Sequence, residues 1–549
     1  MQTLQLTFLI TTWLLIGAIF VGLGLLLIRR PEDDDLFRAF WVGLGVTLLG
    51  LQIWHLIRPV TVLPFYLLLA LGVVGLSLHW RLIVSVGRRF GLLRFGTLML
   101  LAVIVAFSAL NSYTAYDDGL YHLQDLRWVQ TYSLVPGLGN LHWRLALNNT
   151  LTLLWAMLDS VSWLPPIQYV GNTLLAMAAA TTLLWYGGGL IDGTRRTARA
   201  AYSLLVIPAL VGIGVISLNF ASLKNDYAVF VLGLLVGGEL LAMLEGSARA
   251  RQVIYLTLLA ATAVAIKLSF AVYGAVAVAV AVAAFWRASS PQKWRVVLIV
   301  GGIAATIGSV WVVRGLILSG YPLYPQTFLA LPVDWQVPTD LVEYENRLIR
   351  SWARQPAASP DVVLSDWAWL SGWWARVRIN AIAFWLPMLL GGGGLLAGAV
   401  FRRKSHRGPS LLWLWFVPVL AGLLVWFFTA PDLRFSWHLF WMLGAGIPAV
   451  AYVHSQHRDI VRWLVVLATF ALVLYQATIV RRTFTPEPST FRPVPTVAVD
   501  PYETASGLTL YRPQQGDRCF DAPLPCTPYV HRSIELRDPA GMGAGFRRE

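Results

Sequence analysis

Long apolar segments recur along the whole chain, and each has about the length that an α-helix needs to cross a bilayer. Polar and charged residues are gathered in the stretches between them. This pattern predicts about fourteen spans and therefore an all-α polytopic membrane protein. The predicted spans lie near residues 5–28, 37–57, 61–79, 95–111, 167–189, 201–218, 227–245, 253–269, 271–286, 296–317, 381–400, 410–428, 437–453 and 461–480.

Every second connecting stretch is rich in arginine and lysine. Basic loops mark the cytoplasmic side of membrane proteins, so both termini are predicted to lie outside the cytoplasm. The basic positions are Arg29, Arg30 and Arg38; Arg81, Arg88, Arg89 and Arg94; Arg195, Arg196 and Arg199; Arg249 and Arg251; Arg287, Lys293 and Arg295; Arg402, Arg403, Lys404 and Arg407; and Arg458 and Arg462.

The other loops then face outward, and they hold most of the unusual polar motifs. They are 112–166, 219–226, 318–380, 429–436 and the tail 481–549. We expect a transmembrane domain over 1–480 and a small extracytoplasmic tail over 481–549. Any chemistry is expected on the outer side.

Composition agrees with this picture. Hydrophobic residues make up 57% of the 549 positions and charged residues only 13%, against about a quarter charged in soluble domains. The net charge of +14 lies mostly in the short loops, where membrane topology requires it. Nucleic acid is therefore not expected as a partner.

An acidic pair, Asp117 and Asp118, opens the first outer loop, and His122 follows. A carboxylate here could accept a proton from an acceptor hydroxyl or amine, as a general base does. Alternatively, the pair caps the positive end of the following helix. A third reading is a metal site with His122, although these three ligands are few for one.

Three cations are predicted near the same surface: Lys267, Arg314 and Arg434. Arginine suits two-point contact with phosphate oxygens. Alternatively, Lys267 extends to the membrane interface or pairs with Asp226, and Arg434 pairs with Asp432.

Two further outer segments carry candidate substrate contacts. The turn that ends at Asp226 either touches a substrate hydroxyl or metal, or caps a helix. The loop 318–380 holds Tyr321, Tyr324 and several tryptophans. Such aromatic density suits a helix on the membrane surface, which is the favoured reading, or stacking against sugar rings.

Both cysteines of the chain, Cys519 and Cys526, lie in the tail. If the tail is outside, in an oxidising compartment, they are expected to form a structural disulfide.

The run Tyr116-Asp-Asp-Gly-Leu-Tyr121 resembles the Tyr-Asp-(Asp/Glu)-x-x-Tyr pattern of the GT-C superfamily of polyprenyl-phosphate-sugar glycosyltransferases. The resemblance implies that Asp117 is the catalytic base and Asp118 its acidic companion. GT-C enzymes usually place this loop after the first span, whereas about four spans precede it here. Either three spans have been added at the N-terminus, or the GT-C assignment does not hold.

Four other stretches are similar to an uncharacterised family of bacterial membrane proteins, which we connect with GT-C by its layout. They are 136–142, 319–325, 430–435 and 526–529. These resemblances imply a protein of the bacterial inner membrane.

The expected function is transfer of a sugar from a polyprenyl-phosphate donor to an extracytoplasmic glycan, lipid or protein, with inversion. Lys267, Arg314 and Arg434 would offset charge on the leaving phosphate. A divalent metal ion is left open as a cofactor. The alternatives are a transporter or flippase for lipid-linked glycans, and a polysaccharide polymerase or ligase.

Overall fold

The computed structural model describes residues 2–216, 218–246, 248–288, 292–401, 410–483 and 490–548. Within them the chain is mostly helical, as the hydrophobic pattern predicts. The helices are α1 Gln2–Leu27, α2 Asp33–His55, α3 Val62–Leu78, α4 Trp80–Phe90, α5 Leu92–Leu110, α6 Leu123–Thr131, α7 Thr150–Asp159, α8 Ile167–Ile191, α9 Ala198–Ile216, α10 Asp226–Glu245, α11 Ala250–Ile266, α12 Ala271–Arg287, α13 Lys293–Ser319, α14 Thr339–Arg354, α15 Pro360–Val363, α16 Trp369–Val377, α17 Leu386–Phe401, α18 Phe416–Thr429, α19 Trp437–His454 and α20 Arg458–Thr483.

Among the described residues, eleven helices are long and apolar enough to cross a membrane, so the chain is a multi-pass membrane protein. The count rises to twelve if α3 and α4, which meet at a bend of 75°, are taken as one span. A helix overlaps each of the fourteen predicted segments, but α11 is shorter than a full span and α19 is not among the eleven. The number fourteen therefore stays a prediction.

The loops between the helices gather at two opposite ends of the bundle. Three arginines of the predicted cytoplasmic loops, Arg94, Arg195 and Arg251, pair with carboxylates of other predicted cytoplasmic segments. At the other end the predicted outer loops contact one another. The structure thus groups the loops as the charge pattern does, and which end faces the cytoplasm stays a prediction. The basic positions 402–407 lie outside the described residues.

Helices α8, α9 and α10 form the centre of the bundle and are buried along most of their length. At the periphery, α1 and α3 approach closely through small residues. A Cβ on Gly22 would lie 2.0 Å from the carbonyl oxygen of Gly72, so only glycine permits this contact. The rigid centre holds the outer turn between α9 and α10 in place.

The tail departs from the all-α expectation, because it contains four short strands. They form two antiparallel pairs, β1 with β2 and β3 with β4. The tail also contains a disulfide between Cys519 and Cys526. The strands are β1 Val499–Glu503, β2 Thr509–Pro513, β3 Ile534–Leu536 and β4 Phe546–Arg548.

Candidate functional site

The acidic pair lies where the chain re-enters helical structure after α5. The backbone forms a π-helical turn over Asp118–His122 and then continues as α6. Such π turns within helices are often found at functional sites. The turn sends the side chains of Asp117 and Asp118 to different partners.

Asp118 is buried and ties the first outer loop to the turn between α9 and α10. One carboxylate oxygen accepts the backbone N–H of Leu223 at 3.1 Å and the hydroxyl of Ser222 at 3.3 Å. The other oxygen, Oδ2, is buried without a hydrogen-bond partner. Burial raises the pKa of Asp118 to about 7. These contacts favour a bracing role for Asp118.

Asp117 is about one-fifth exposed and lies between two guanidinium groups. Its Oδ1 is 3.6 Å from Nη1 of Arg144, and its Oδ2 is 3.6 Å from Nη1 of Arg434. Both distances exceed the usual hydrogen-bond range, so these are loose ion pairs. The two arginines have further loose partners, Glu345 at 3.7 Å from Arg144 and Asp432 at 3.6 Å from Arg434. Three other segments, carrying Arg144, Glu345 and the Asp432–Arg434 pair, thus converge around Asp117.

Glu345 occupies the buried face of α14, with only 1% of its side chain exposed. Burial raises the pKa of Glu345 to about 7, against the opposing effect of Arg144. Its second oxygen has no hydrogen-bond partner, and neither has the hydroxyl of the nearby buried Tyr324. Several polar atoms beside Arg144 therefore retain unused hydrogen-bonding capacity.

Asp226 begins α10 and forms a buried ion pair with Lys267. Lys267 lies in the short connection between α11 and α12. The ammonium of Lys267 also lies 4.2 Å from the ring centre of Phe435. Because Phe435 follows Arg434 in sequence, this pair borders the Asp117 cluster. The alternative pairing of Lys267 with Asp226 is therefore present, and a role of Lys267 at a donor phosphate stays a prediction.

A cavity of about 390 Å³ adjoins this cluster at the predicted outer end. Its lining includes three cations, Lys224, Arg376 and Arg434, and two carboxylates, Asp226 and Asp432. The cations thus exceed the carboxylates by one. Apolar and aromatic side chains complete the wall: Ile216, Leu218, Trp373, Val377, Leu433 and Trp437. Neither Asp117 nor Lys267 belongs to the lining; Asp117 is linked to the cavity through Arg434.

The remaining predicted residues lie at varying distances from this centre. His122 is buried beside Tyr121, with ring centres 4.1 Å apart, and burial lowers the pKa of His122 to about 4. Tyr321 donates its hydroxyl to the carbonyl of Val337 at 3.0 Å within the second outer loop. Arg314 is not brought to the cluster: it contacts Asn148 and His55 in a separate buried site.

The sequence reading did not single out Arg144, Glu345 and Arg376 as site residues, although each lies in a predicted outer loop. Glu345 carried a detectable signal. It occupies the apolar stripe of an amphipathic helix, three residues after the buried Val342. The sequence carried no signal for Arg144 and Arg376, because arginine is common in polar loops.

No group of three or more His, Cys, Asp or Glu side chains that could hold a metal ion occurs within the described ranges. Asp118 and His122 are each buried among other partners, so the structure does not assemble the Asp117–Asp118–His122 ligand set.

The tail reaches over the acidic turn from outside. The backbone N–H of Phe520 donates to the carbonyl of Gly119 at 2.8 Å, and Gln124 donates to the carbonyl of Ala522 at 2.9 Å. A Cβ on Gly119 would lie 2.7 Å from the Phe520 ring, so the contact requires glycine. The loop closed by the disulfide therefore packs directly against the site.

The fold and this cluster define a multi-pass helical membrane protein with a charged site at one end of the bundle. Residues 6–441 match the family described as a domain of unknown function, DUF8201, and the chain belongs to that family. Comparisons with curated proteins and with solved structures found no match.

Proposed function

We propose that this protein is a GT-C type glycosyltransferase that moves a sugar from a polyprenyl-phosphate donor to an extracytoplasmic acceptor. The observation that carries the proposal is the position of Asp117 between Arg144 and Arg434, with Arg434 also lining a cation-rich cavity. A base and a phosphate-binding group are thus adjacent.

The cavity has the chemistry that a lipid phosphate requires. Lys224, Arg376 and Arg434 supply cations, and guanidinium groups bind phosphate oxygens in a two-point fashion. The wall also contains Ile216 and Leu218, whose side chains are partly exposed at the end of α9. An isoprenoid chain would lie against this apolar side while its phosphate contacts the cations.

Arg434 links the two halves of the proposed reaction. Its ion pairs are loose, and its Nε is buried without a hydrogen-bond acceptor. A donor phosphate would supply that acceptor and compete with Asp117 for the guanidinium. Asp117, relieved of one cation, would then accept the proton of the acceptor nucleophile.

The same geometry favours an enzyme over a transporter. Transporters place their polar sites near the middle of the membrane, often at broken helices. Here Asp226 and Lys267 lie at the outer ends of their helices, and the Arg38–Glu239 pair lies toward the other end. A polymerase or ligase shares the proposed donor and would differ in its acceptor. Localisation in the bacterial inner membrane, with both termini outside, is part of the proposal.

The test is the substitution Asp117→Asn, measured as sugar transfer from a panel of radiolabelled polyprenyl-phosphate hexoses by the purified protein in proteoliposomes. We expect transfer to fall by roughly 100-fold or more, because positioned acid–base groups contribute about 10²–10⁴. The temperature midpoint of unfolding should be unchanged. Asp361→Asn is the matched control, since Asp361 is an exposed outer-loop carboxylate paired with Arg347.

A helix-capping role for Asp117 gives a different result, because asparagine caps helices about as well as aspartate. Full transfer by Asp117→Asn would therefore overturn the proposed mechanism.

A further inference from the structure

An apolar groove lies between α1, α2, α5 and α8 and extends toward the predicted cytoplasmic end. One part has a volume of about 330 Å³ and includes Gly17, Phe40 and Met99 in its lining. A second part, of about 440 Å³, shares five lining residues with the first and extends to Gly87 and Arg88 of α4. The two parts form one continuous groove that begins among apolar side chains and ends at an arginine.

Helix α4 has the character of a helix that lies in the membrane interface. It bends by 75° from α3, and Val86 and Phe90 are buried on one face. Arg81 and Arg88 are exposed and lie seven residues apart, on the same side of the helix. An amphipathic helix with basic residues on its polar face is typical of contact with anionic lipids.

These two arginines differ from their neighbours in how they are paired. Arg89 pairs with Asp33, and Arg94 pairs with Asp192. In the part of the chain that the structure describes, Arg81 and Arg88 have no carboxylate within ion-pair distance. Arg88 lines the mouth of the groove, and Arg81 lies two turns away on the same side of α4, 5.7 Å from the ring centre of Trp80. The mouth thus carries positive charge that no carboxylate neutralises.

We infer that this groove binds one anionic phospholipid of the bilayer, with an acyl chain in the apolar part and the phosphate at Arg81 and Arg88. The apolar lining matches an acyl chain, and the charge at the mouth complements a phosphodiester. Juxtamembrane arginines attract anionic lipids by roughly fivefold each. This inference is independent of the proposed transferase activity.

Glycine in the groove allows a direct test of the apolar part. A Cβ on Gly17 would meet no atom within 4 Å, so Gly17→Leu can fill the groove without disturbing the packing of α1. Gly302→Leu is the matched control, because Gly302 lies in another spanning helix, α13, and also has open space around its Cβ. Arg81→Gln with Arg88→Gln tests the charged mouth.

The measurement is native mass spectrometry of the full-length protein, extracted from nanodiscs that contain equal amounts of phosphatidylglycerol and phosphatidylcholine. We expect wild type and Gly302→Leu to retain phosphatidylglycerol preferentially. Gly17→Leu should retain at least roughly tenfold less of either lipid, since each displaced methylene costs about fourfold in binding. The double arginine variant should still retain lipid but lose the preference by roughly tenfold or more. Unchanged retention by Gly17→Leu would overturn the inference, as would an unchanged preference in the arginine variant.

Discussion

The two ends of the bundle each contain buried arginines and carboxylates, but the pairs differ in geometry. At the predicted cytoplasmic end, Arg38 donates to Glu239 at 2.9 Å, and Arg199 contacts the same carboxylate at hydrogen-bond distance. At the outer end, Asp117 lies 3.6 Å from both of its arginine partners. The first network is closed by hydrogen bonds, whereas the second is held by longer-range attraction.

The two clusters also differ in how many of their buried polar atoms lack a hydrogen-bond partner. Glu239, Arg38 and Arg199 are absent from the buried polar atoms that lack a partner in the described part of the chain. The outer cluster contributes four such atoms, on Asp118, Tyr324, Glu345 and Arg434, and the hydroxyl of Tyr186 beside Arg199 is one at the other end. Unsatisfied buried polar atoms cost stability and are tolerated chiefly where a site uses them. The hydrogen bonds of Glu239 therefore suit structural support, although a cavity of about 1210 Å³ lies beside Arg38 and Arg199. The polar atoms around Asp117 suit binding.

The largest expected effect on stability is at Glu239. Glu239→Gln would remove the carboxylate partner of the buried Arg199, while Arg38 keeps Asp35 at 3.2 Å. Removing one partner of a buried ion pair typically costs about 3–5 kcal/mol. We expect a clear fall in the thermal unfolding midpoint in detergent, with normal transfer per folded molecule. Asp459→Asn is the control, because Asp459 belongs to an exposed pair with Arg196 and should cost at most about 1 kcal/mol. Equal midpoints for the two variants would contradict the structural role of Glu239.

The next largest effect is expected on donor binding at Arg434, beside Asp117. Arg434→Gln removes the guanidinium that links Asp117 to the cavity, so we expect KM for the polyprenyl-phosphate donor to rise roughly tenfold to 100-fold. Loss of a hydrogen bond to a charged group accounts for about 1.5–3 kcal/mol. The unfolding midpoint should change little, because its ion pairs are loose. A large loss of stability with unchanged KM would show instead that Arg434 is structural.

Sequence reasoning succeeded where the signal is local. Hydrophobic segments of bilayer length placed the helices, and the alternation of arginines grouped the loops at two ends. The local pattern also singled out Asp117 and Asp118, whose catalytic role stays a prediction. The tail shows the limit of this approach: its short strands lie among Pro and Gly, and the helical prediction for the whole chain passed over them.

Contacts between distant segments could not be predicted. Arg144 and Glu345 are separated by about two hundred positions, and only the packing of α14 on the first outer loop brings them together. Arg314 illustrates the opposite error of inference. Its position at the outer end of a span suggested a shared site, but the side chain turns to Asn148 and His55. The position of a residue at the end of a span fixes its depth in the membrane. It does not determine which neighbouring helix or loop its side chain contacts.

A smaller effect is expected from pH. The folded-state pKa of Asp118 is raised to about 7 from an ordinary value of 3.8, so the folded state holds this proton more tightly than the unfolded state. Between about pH 4 and pH 7 the unfolded state ionises first, and stability should therefore fall as pH rises, by at most about 1.4 kcal/mol per pH unit. Asp118→Asn should flatten this part of the curve of unfolding midpoint against pH. Glu345 and Asp125 act in the same direction, so adding Glu345→Gln should reduce the slope further without removing it.

The smallest expected effect is at an outer ion pair with short hydrogen bonds but exposed side chains. It tests whether short bonds alone, without burial, make a pair contribute to transfer or stability. Arg127 and Asp521 join the first outer loop to the tail with a hydrogen bond of 2.9 Å, the closed geometry of the Glu239 network, but both side chains are about one-third exposed. Asp521→Asn leaves Arg127 with its second partner, Asp159 at 2.8 Å, so no uncompensated charge results. Exposed pairs contribute about 0–1 kcal/mol, and we expect transfer within about twofold of wild type and a nearly unchanged unfolding midpoint. A tenfold loss of transfer would instead show that the docked tail controls the acidic turn. The neighbours of Asp521 contact that region directly: Phe520 donates its N–H to the carbonyl of Gly119, and the carbonyl of Ala522 accepts from the side chain of Gln124.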